Sequence, residues 1–451
     1  MKFVRSSASL AILAVALVAI AVAAMPALAV TSPAGNSMRA GAAIDWPQFR
    51  FDDNHTGVNP FETTLNASNV RRLTNTWQAQ LGDLVDFSSP TVVDGVVYIG
   101  SSDGTLWAFP ANGCGASLCT HPLWKSTNLS QIIDTPTVAN GFVYVGSQTS
   151  PTSNDGKLDV FSAAGCGQAV CPPLWQGNAG TESILESSPT VANGVVYVGT
   201  FGKRLFAFDA NGCGQSLCQA LWQGVTGGSV ESTPTVANGV VFVGADDGKL
   251  YAFDANGCGQ STCQALWSAS TGKKVGIFES SPAISHGTVF IASQHALAAF
   301  DANGCGQSTC QPLWNAPNLN SFYGGSPAVA GNRVYIGLEG GVAVFAAGGC
   351  GGRNCQPLWL DFGAGEQGAI LSSPTVANGV VYAGRNTGDV LAWKAGPCGH
   401  PICTQIWTGF TNEPIVTSSP TVVNGQVYIG SADNAFPENI SGRIYVFGLS
   451  T

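Results

Sequence analysis

Short runs of apolar and polar positions recur in a fixed order along most of the chain. Residues 232–267 show the order in full, as STPTVANGVVFVGADDGKLYAFDANGCGQSTCQALW. β-Branched and aromatic runs separated by Asn-Gly and Asp-Gly turns predict antiparallel strands. The predicted strands cover 235–237, 240–243 and 250–253, with a fourth starting at 265–267. Each unit is therefore predicted to be a four-stranded antiparallel meander.

A Ser/Thr-Pro step opens each unit, and eight such steps occur at intervals of 45 to 53 residues. The prolines are Pro90, Pro136, Pro189, Pro234, Pro282, Pro327, Pro374 and Pro420. One four-stranded sheet cannot bury both faces alone, so tandem copies must stack, and a radial stack forms a β-propeller. The fold class predicted is all-β, an eight-bladed β-propeller of four-stranded antiparallel blades.

A tryptophan ends seven of the eight units, and the last unit lacks one. The missing residue is found at the other end of the chain, as Trp77. We therefore expect an N-terminal strand to complete the last blade and close the ring, which removes exposed sheet edges. The eight tryptophans are interpreted as packing between blades. The expected domain is 44–451, with an N-terminal closing segment, residues 44–80, in which Trp46 and Phe49 anchor the chain across one end of the ring. A ligand role for Arg50 or His55 is the alternative to packing.

All fourteen cysteines fall into C-x4-C pairs, one in each of seven units. The pairs are Cys114/Cys119, Cys166/Cys171, Cys213/Cys218, Cys258/Cys263, Cys305/Cys310, Cys350/Cys355 and Cys398/Cys403. An eight-bladed ring closed in this way has seven such loops, because the two chain ends meet where the eighth loop would lie. After a secretory leader, such pairs indicate local disulfides. Zinc binding is the alternative, although zinc sites need a second pair or histidines nearby.

The N-terminus carries Lys2 and Arg5 before an apolar run and an Ala-Leu-Ala sequence. This pattern predicts a signal peptide, residues 1–29, followed by a flexible leader, residues 30–43, rich in Ser, Pro, Gly and Ala. A membrane anchor is the alternative, but the run is shorter than the ~20 residues that a spanning helix needs. We expect a secreted, extracellular or cell-envelope protein, monomeric and without a membrane span in the mature chain.

The composition narrows the classes of partner. Charged residues make up 10% of the chain and the net charge is −9. Phosphate binding requires clustered Lys and Arg, so a nucleic-acid partner is not expected. The five histidines form no close pair, and no phosphate-binding loop occurs.

The full unit, from the Ser-Pro step through Val-Tyr-x-Gly, Asp-Gly and Leu-x-Ala-Phe to the Leu-Trp end, resembles the repeat of PQQ-like eight-bladed propellers. This quinoprotein alcohol dehydrogenase-like superfamily includes enzymes that use calcium and a quinone, and also BamB-like propellers without catalytic activity. The resemblance covers residues 77–447 and implies the fold, but it does not decide between these activities.

The sequence departs from the enzymes in that resemblance. Their quinone lies under a lid of adjacent cysteines, and no two cysteines are adjacent here. No residue set matches their calcium and catalytic carboxylates, and no lipid-attachment cysteine follows the leader. We therefore expect a non-catalytic scaffold that binds a protein or glycan. The alternative is a PQQ- and Ca²⁺-dependent alcohol or sugar dehydrogenase.

Acidic residues precede the Ser/Thr-Pro step in five successive units. They are Asp86, Asp134, Glu186, Glu231 and Glu279. This step begins the innermost strand of a propeller blade, so the acids are expected to converge at one mouth of the central channel, opposite the disulfide loops. Clustered carboxylates repel one another unless a cation or basic ligand compensates them. The hypothesis is a metal site there, and the alternative is a set of solvated loop acids.

Overall fold

The computed structural model describes residues 44–132, 134–148, 155–271, 280–317, 319, 325–361, 368–433 and 441–450. The predicted signal peptide, the predicted leader and Glu279 lie outside the described residues. Eight sheets form the molecule, and each holds four antiparallel strands, all from one repeat in seven sheets and completed by an N-terminal strand in the eighth. The eight-bladed propeller is thus confirmed. Blades 1 to 8 are numbered here by their prolines, from Pro90 to Pro420, and their strands A to D run from the channel outward.

Strands A and B form the inner half of each blade. The A strands, in blade order, are Thr91–Val93, Thr137–Ala139, Thr190–Ala192, Thr235–Ala237, Ala283–Ser285, Ala328–Ala330, Thr375–Ala377 and Thr421–Val423. The B strands are Val96–Ser101, Phe142–Gln148, Val195–Thr200, Val240–Ala245, Thr288–Ser293, Arg333–Leu338, Val380–Arg385 and Gln426–Asp433.

Strands C and D form the outer half. The C strands are Thr105–Pro110, Gly156–Ser162, Arg204–Asp209, Lys249–Asp254, Ala296–Asp301, Gly341–Ala346, Asp389–Lys394 and Ser441–Leu449. The D strands are Trp124–Ser126, Trp175–Asn178, Trp222–Val225, Trp267–Ser270, Trp314–Pro317, Trp359–Leu360, Trp407–Phe410 and, in blade 8, Leu73–Gln80. Strand D of blade 4 begins at Trp267, so the prediction that it begins at residue 265 is wrong. Leu266 still belongs to the loop, and 54% of it is exposed.

The N-terminal strand closes the ring as predicted. Leu73–Gln80 pairs antiparallel with Ser441–Leu449, from Leu73 opposite Leu449 to Gln80 opposite Arg443. A single short 3-10 helix, Val70–Arg72, precedes it and is the only helix in the described part of the chain. Further upstream, the two-residue strand Val58–Asn59 pairs in parallel with the inner strand of blade 7. No helix among the described residues is long and apolar enough to cross a bilayer.

A closed circle of hydrogen bonds explains why each blade begins with Ser/Thr-Pro. The amide of the residue before each proline donates to the side-chain hydroxyl of its counterpart in the next blade, at 2.8 to 3.2 Å. The residues are Ser89, Thr135, Ser188, Thr233, Ser281, Ser326, Ser373 and Ser419, and the last donates back to the first. We call them the hydroxyl ring. Since proline has no N–H, the residue before it supplies the donor.

The tryptophans pack between neighbouring blades. Trp222 of blade 3 lies in one core cluster with Phe253 and Cys263 of blade 4, which confirms the predicted packing.

All seven predicted cysteine pairs are disulfide-bonded, with Cα atoms 5.5 to 5.8 Å apart. No cysteine is free, so no thiolate remains for the zinc alternative. The two ends of each disulfide differ in exposure, which the sequence analysis did not predict. The first cysteine of each pair is exposed, whereas the second is buried at 0 to 4% exposure and belongs to the core. The buried cysteines are Cys119, Cys171, Cys218, Cys263, Cys310, Cys355 and Cys403.

Each cysteine loop also covers the edge of the preceding blade, which the sequence analysis did not predict either. In blade 3 the loop residues Leu217–Gln219 run parallel to strand Trp175–Asn178 of blade 2. Equivalent short strands, Leu118–Cys119, Val170–Cys171, Thr262–Cys263 and Thr309–Cys310, cover blades 8, 1, 3 and 4. Five blades thereby gain a fifth, parallel strand at the outer edge.

The last two cysteine loops cover their neighbours without forming a strand. The amide of Cys355 donates to the carbonyl of Asn315 in blade 5 at 2.8 Å, and that of Cys403 donates to Leu360 in blade 6 at 3.0 Å. Only one parallel bridge accompanies each bond. Cys355 and Cys403 therefore join the interface between blades, besides closing the predicted loops of blades 6 and 7.

Candidate functional site at the channel mouth

One end of the central channel is closed by an N-terminal plug, which we define as residues 46–59. Six amides of the A strands donate to its backbone carbonyls: Val92 to Trp46, Val138 to Pro47, Val236 to Asp53, Ile284 to Asn54, Val329 to Thr56 and Val376 to Gly57. Asn59 reaches the carbonyl of Val422 in blade 8, and His55 lies 3.3 Å from the hydroxyl of Thr190 in blade 3. The plug therefore contacts all eight blades. Trp46 and Phe49 lie in it, as the sequence analysis expected.

Arg50 completes a second set of hydroxyl bonds inside the channel. The first residue of strand A is threonine in six blades, and its hydroxyl donates to the proline carbonyl of the next blade. Ala283 and Ala328 replace threonine in blades 5 and 6, which leaves the carbonyls of Pro327 and Pro374 without this donor. The guanidinium of Arg50 donates to both carbonyls, at 3.1 and 2.6 Å.

Burial fixes the charge states in the plug. It lowers the pKa of Arg50 to about 9 and that of His55 to about 3. His55 is therefore neutral near pH 7, where its ring nitrogens lie within hydrogen-bonding distance of the hydroxyls of Thr190 and Thr235. A Cβ on Gly57 would lie 2.0 Å from Arg50 Nη2, and its φ is +67°, so glycine is required there. Both ionisable side chains act in packing.

The opposite end of the channel, its mouth, holds two of the predicted acidic residues, Glu186 and Glu231. Strand A runs from this mouth to the Asn-Gly turn. The disulfide loop starts beside that turn, where Ala111 donates to Gly95 in blade 1. The mouth and the disulfide loops therefore lie on opposite faces. The cavity here has a volume of about 30 Å³, enough for about two water molecules. Its lining comprises Phe49, Phe87, Glu186, Ser188, Thr233, Gly325, Leu371, Ser373 and Thr417.

The mouth brings together two of the predicted acids, Glu186 and Glu231. A third carboxyl group, Asp246, joins them from the turn between strands B and C of blade 4. Glu231 lies within hydrogen-bonding reach of the other two. Burial, opposed by the contact with Glu231 and assisted by the charge of Asp246, raises the pKa of Glu186 to about 7. The group can therefore hold a proton at neutral pH, which reduces the repulsion between carboxylates.

The sequence pattern does not predict the contribution of Asp246, because Asp-Gly at 247–248 indicates a hairpin turn and no binding role. The signal was the second acid in that turn, where an Asp-Gly pair alone would suffice. Among the described residues, no three His, Cys, Asp or Glu side chains are placed to hold a metal ion together.

Asp134 does not join the mouth, and the expectation of its convergence there is wrong. It is 1% exposed, and its Oδ2 accepts the amide of Gly146 within blade 2. Six other blades place a serine here, whose hydroxyl accepts the same strand B amide. Asp134 precedes its proline by two residues, whereas Glu186 precedes its own by three, so the two side chains point differently. Burial raises the pKa of Asp134 well above its usual value.

Asp86 lies four residues before its proline and is half-buried near blade 1. Its carboxylate accepts a hydrogen bond from the hydroxyl of Ser102 at 3.3 Å. Burial raises its pKa, the Ser102 bond opposes the rise, and the charge of Asp83 adds to it. Neither Glu186 nor Glu231 is among its partners. The described acids therefore form one group on the side of blades 3 and 4 and no arc around the channel.

Comparisons with known proteins agree with this architecture. Residues 168–447 match the model of the PQQ_2 family, described as outer membrane protein assembly factor BamB. No curated protein matches the chain in sequence. Similar solved structures include BamB from Moraxella catarrhalis, with 17% identity and a TM-score of 0.60 over 83% of this chain and 97% of that chain.

Two further structures extend the comparison. Quinohemoprotein alcohol dehydrogenase from Comamonas testosteroni shares 14% identity, with a TM-score of 0.65 over 90% of this chain and 80% of that one. The computationally designed Ika8 protein shares 17% identity, with a TM-score of 0.58 over 81% and 98%. At these identities the likeness shows the fold alone, and an enzyme, an assembly factor and a designed protein share it.

Proposed function

Since the chain belongs to the PQQ_2 family of β-propellers, we propose that it is a secreted, non-catalytic propeller that binds a protein or a glycan at the cell surface. The family includes both BamB-type binding scaffolds and quinoprotein dehydrogenases. The observation that carries the proposal is the size of the channel cavity. Cofactor pockets usually measure about 300–1,000 Å³, whereas the cavity that the described residues line between the plug and the mouth measures about 30 Å³.

The residues present do not fit PQQ and calcium. Phe49 of the plug and the hydroxyl ring occupy the channel beneath the mouth. The cysteines, whose adjacent pairing forms the lid in the enzymes that the sequence resembles, lie in separate loops on the opposite face. The cluster of Glu186, Glu231 and Asp246 can share a proton. The described residues offer no set of three metal ligands.

A groove between blades supports binding on the disulfide face. It lies between blades 4 and 5 and has a volume of about 520 Å³, which is within the usual range for ligand sites. Its lining includes Leu266, Asn238, Asn303 and Gln307 and carries no charged residue. Leucines equivalent to Leu266 precede the tryptophan in five other blades and are 51 to 54% exposed. Such a surface suits an uncharged ligand that offers apolar and hydrogen-bonding groups.

The test is reconstitution of the purified protein with PQQ and calcium, assayed with an artificial electron acceptor on a panel of alcohols and sugars. We expect no turnover and no bound quinone absorbance. Turnover that disappears in a Glu186→Gln/Glu231→Gln variant would establish the dehydrogenase instead. An Asp86→Asn variant is the matched control, since Asp86 lies apart from the group.

The carboxyl group favours a second candidate, a cation or polar-ligand site without redox chemistry. A divalent cation must displace the proton that Glu186 holds with a pKa of about 7. On this second candidate, calcium would raise the melting temperature at pH 8 and much less at pH 6, because a ligand of the folded state stabilises it. The absence of a shift at millimolar calcium and pH 8, or an equal shift in the Glu186→Gln/Glu231→Gln variant, would leave only solvated acids.

A further inference from the structure

Seven blades have a covered outer edge. The amide that follows the strand D tryptophan donates to a carbonyl in the cysteine loop of the next blade. The pairs are Lys125 to Ala169, Gln176 to Ser216, Gln223 to Ser261, Ser268 to Ser308, Asn315 to Arg353, Leu360 to Pro401 and Gln78 to Ser117. The covering segments run parallel to the strand that they cover.

Blade 7 is the exception. Its outer strand, Trp407–Phe410, is the last strand of its sheet, and in the described part of the chain nothing pairs with its outer side. Blade 8 has no cysteine loop, and the 3-10 helix Val70–Arg72 packs beside this strand without a backbone hydrogen bond to it. The helix uses the carbonyl of Val70 for the amide of Leu73, so this carbonyl is turned away from the strand. The indole of Trp407 is covered, because it donates to the carbonyl of Leu73 at 3.2 Å.

The residues of this edge strand include none of the usual guards against pairing. Soluble proteins usually guard an exposed strand with Lys, Pro or a bulge. Here the edge residues are Thr408, Gly409 and Phe410, without charge or proline. Phe410 is 61% exposed, the largest exposed fraction among the large apolar side chains that the structure describes. A strand edge without a hydrogen-bonded neighbour, and with an apolar residue at its end, suits strand addition by another polypeptide.

We propose that the outer strand of blade 7 binds an extended segment of a partner protein, which pairs in parallel with Thr408–Phe410. The seven covered edges define the chemistry of that segment. It supplies a carbonyl to the amide of Thr408 and places a small apolar side chain inward, as the second cysteine of each loop does with 0 to 4% exposure. An apolar side chain of the segment covers Phe410. This inference rests on the proposed binding function and specifies the class of partner.

The first measurement is amide hydrogen exchange in the free protein. The amides of Thr408 and Gln223 occupy equivalent positions, but only that of Gln223 has a covering carbonyl. We expect Thr408 to exchange at least about tenfold faster than Gln223, because exchange reports local opening. Equal protection of the two amides would overturn the proposal.

The second measurement uses a synthetic peptide of residues 214–220 with Cys218→Ala, which copies the covering segment of blade 2. At millimolar concentration the peptide is expected to slow exchange of the Thr408 and Phe410 amides severalfold. Binding should be lost in Thr408→Pro, which removes the donor at an edge position where proline is tolerated. The matched control Gln223→Pro should lower the melting temperature yet leave protection of blade 7 unchanged.

Phe410→Ser provides a second variant, which keeps the donor and should weaken peptide binding severalfold. Failure of the peptide to slow exchange, or equal binding by Thr408→Pro, would contradict the proposal. A concentration-dependent dimer that Thr408→Pro abolishes would assign the edge to a second copy of the chain and overturn it as well. These outcomes are independent of the quinone assay, since a closed edge leaves the groove between blades as a binding surface.

Discussion

Arg50 fills a gap that the repeat itself leaves open. Two proline carbonyls lack a threonine donor, and they are the two that the guanidinium reaches. A side chain outside the repeat therefore compensates for two departures within it. The sequence could not reveal this, because Ala283 and Ala328 are ordinary strand residues until the plug is placed beside them.

Replacement of Arg50 by methionine is expected to destabilise the fold by about 2–3 kcal/mol, since two buried carbonyls lose their donor. In that background Ala328→Thr should recover about 1 kcal/mol, because the new hydroxyl can donate to the carbonyl of Pro374. The same substitution in the native background should recover nothing, since Arg50 already occupies that acceptor. Urea unfolding of the four proteins measures the coupling. Equal effects of Ala328→Thr in both backgrounds would show that the two donors do not share an acceptor.

At Asp134, in contrast, we expect a substitution to stabilise the protein. Serine fills its position in six other blades and keeps the acceptor for the strand B amide, so Asp134→Ser should stabilise the protein by about 1–2 kcal/mol. The pKa of Asp134 is raised in the folded state, so the folded protein binds more protons than the unfolded chain above the usual pKa. Native stability then falls as the pH rises, and the gain from Asp134→Ser should be larger at pH 8 than at pH 5. Melting temperatures at both pH values measure it. A gain that does not change with pH would mean that Asp134 stays ionised.

At the scale of elements, the cysteine loops have two roles. The disulfide closes a short loop within its own blade, and the same loop covers the outer strand of the blade before it. The sequence predicted the first role from cysteine spacing alone. It could not predict the second, because the pairing joins residues about 40 positions apart through only two or three residues. No periodic pattern marks so short a strand.

A Cys213→Ala/Cys218→Ala variant tests both roles. The loss of loop restriction in the unfolded chain is expected to cost roughly 2 kcal/mol. The amide of Gln176 in blade 2 should also exchange faster, since its partner is the carbonyl of Ser216 in the affected loop. The amide of Gln223, covered by the intact loop of blade 4, serves as the internal control. Unchanged exchange at Gln176 would show that the cover does not depend on the disulfide.

At the scale of the whole molecule, repeat arithmetic predicted the blade count, the ring closure by Trp77 and the seven disulfides. These follow from local rules applied at a constant spacing. The candidate site was predicted less well, because Asp134 and Glu186 differ by one position before the proline, and one position turns a strand side chain to the other face. The hydrogen bonds of Arg50 and the contribution of Asp246 depend on contacts between residues that are distant in the sequence.

Because blade 8 joins the two ends of the chain, a proline substitution there is expected to act differently from the equivalent substitution in another blade. Ala79 in blade 8 and Ala269 in blade 4 are both the second residue after the strand D tryptophan, and both are fully buried. Proline at either position removes an amide from an outer strand. Only Ala79→Pro weakens the junction between the two chain ends, so we expect it to lower the denaturant m-value and broaden unfolding, while Ala269→Pro lowers stability with the m-value kept. Equal m-values in both variants would mean that the junction does not hold the ring closed.

The pairing of the two chain ends in blade 8 also fixes the order in which paired strands are synthesised. Gln80 leaves the ribosome 363 residues before its hydrogen-bond partner Arg443. At about 5–20 residues per second, the N-terminal strand waits roughly 20–70 s for its antiparallel neighbour. Its other neighbour, the loop strand Leu118–Cys119, is made within a few seconds and pairs with Gln78 and Ala79. The first cysteine loop thus offers the N-terminal strand an early partner.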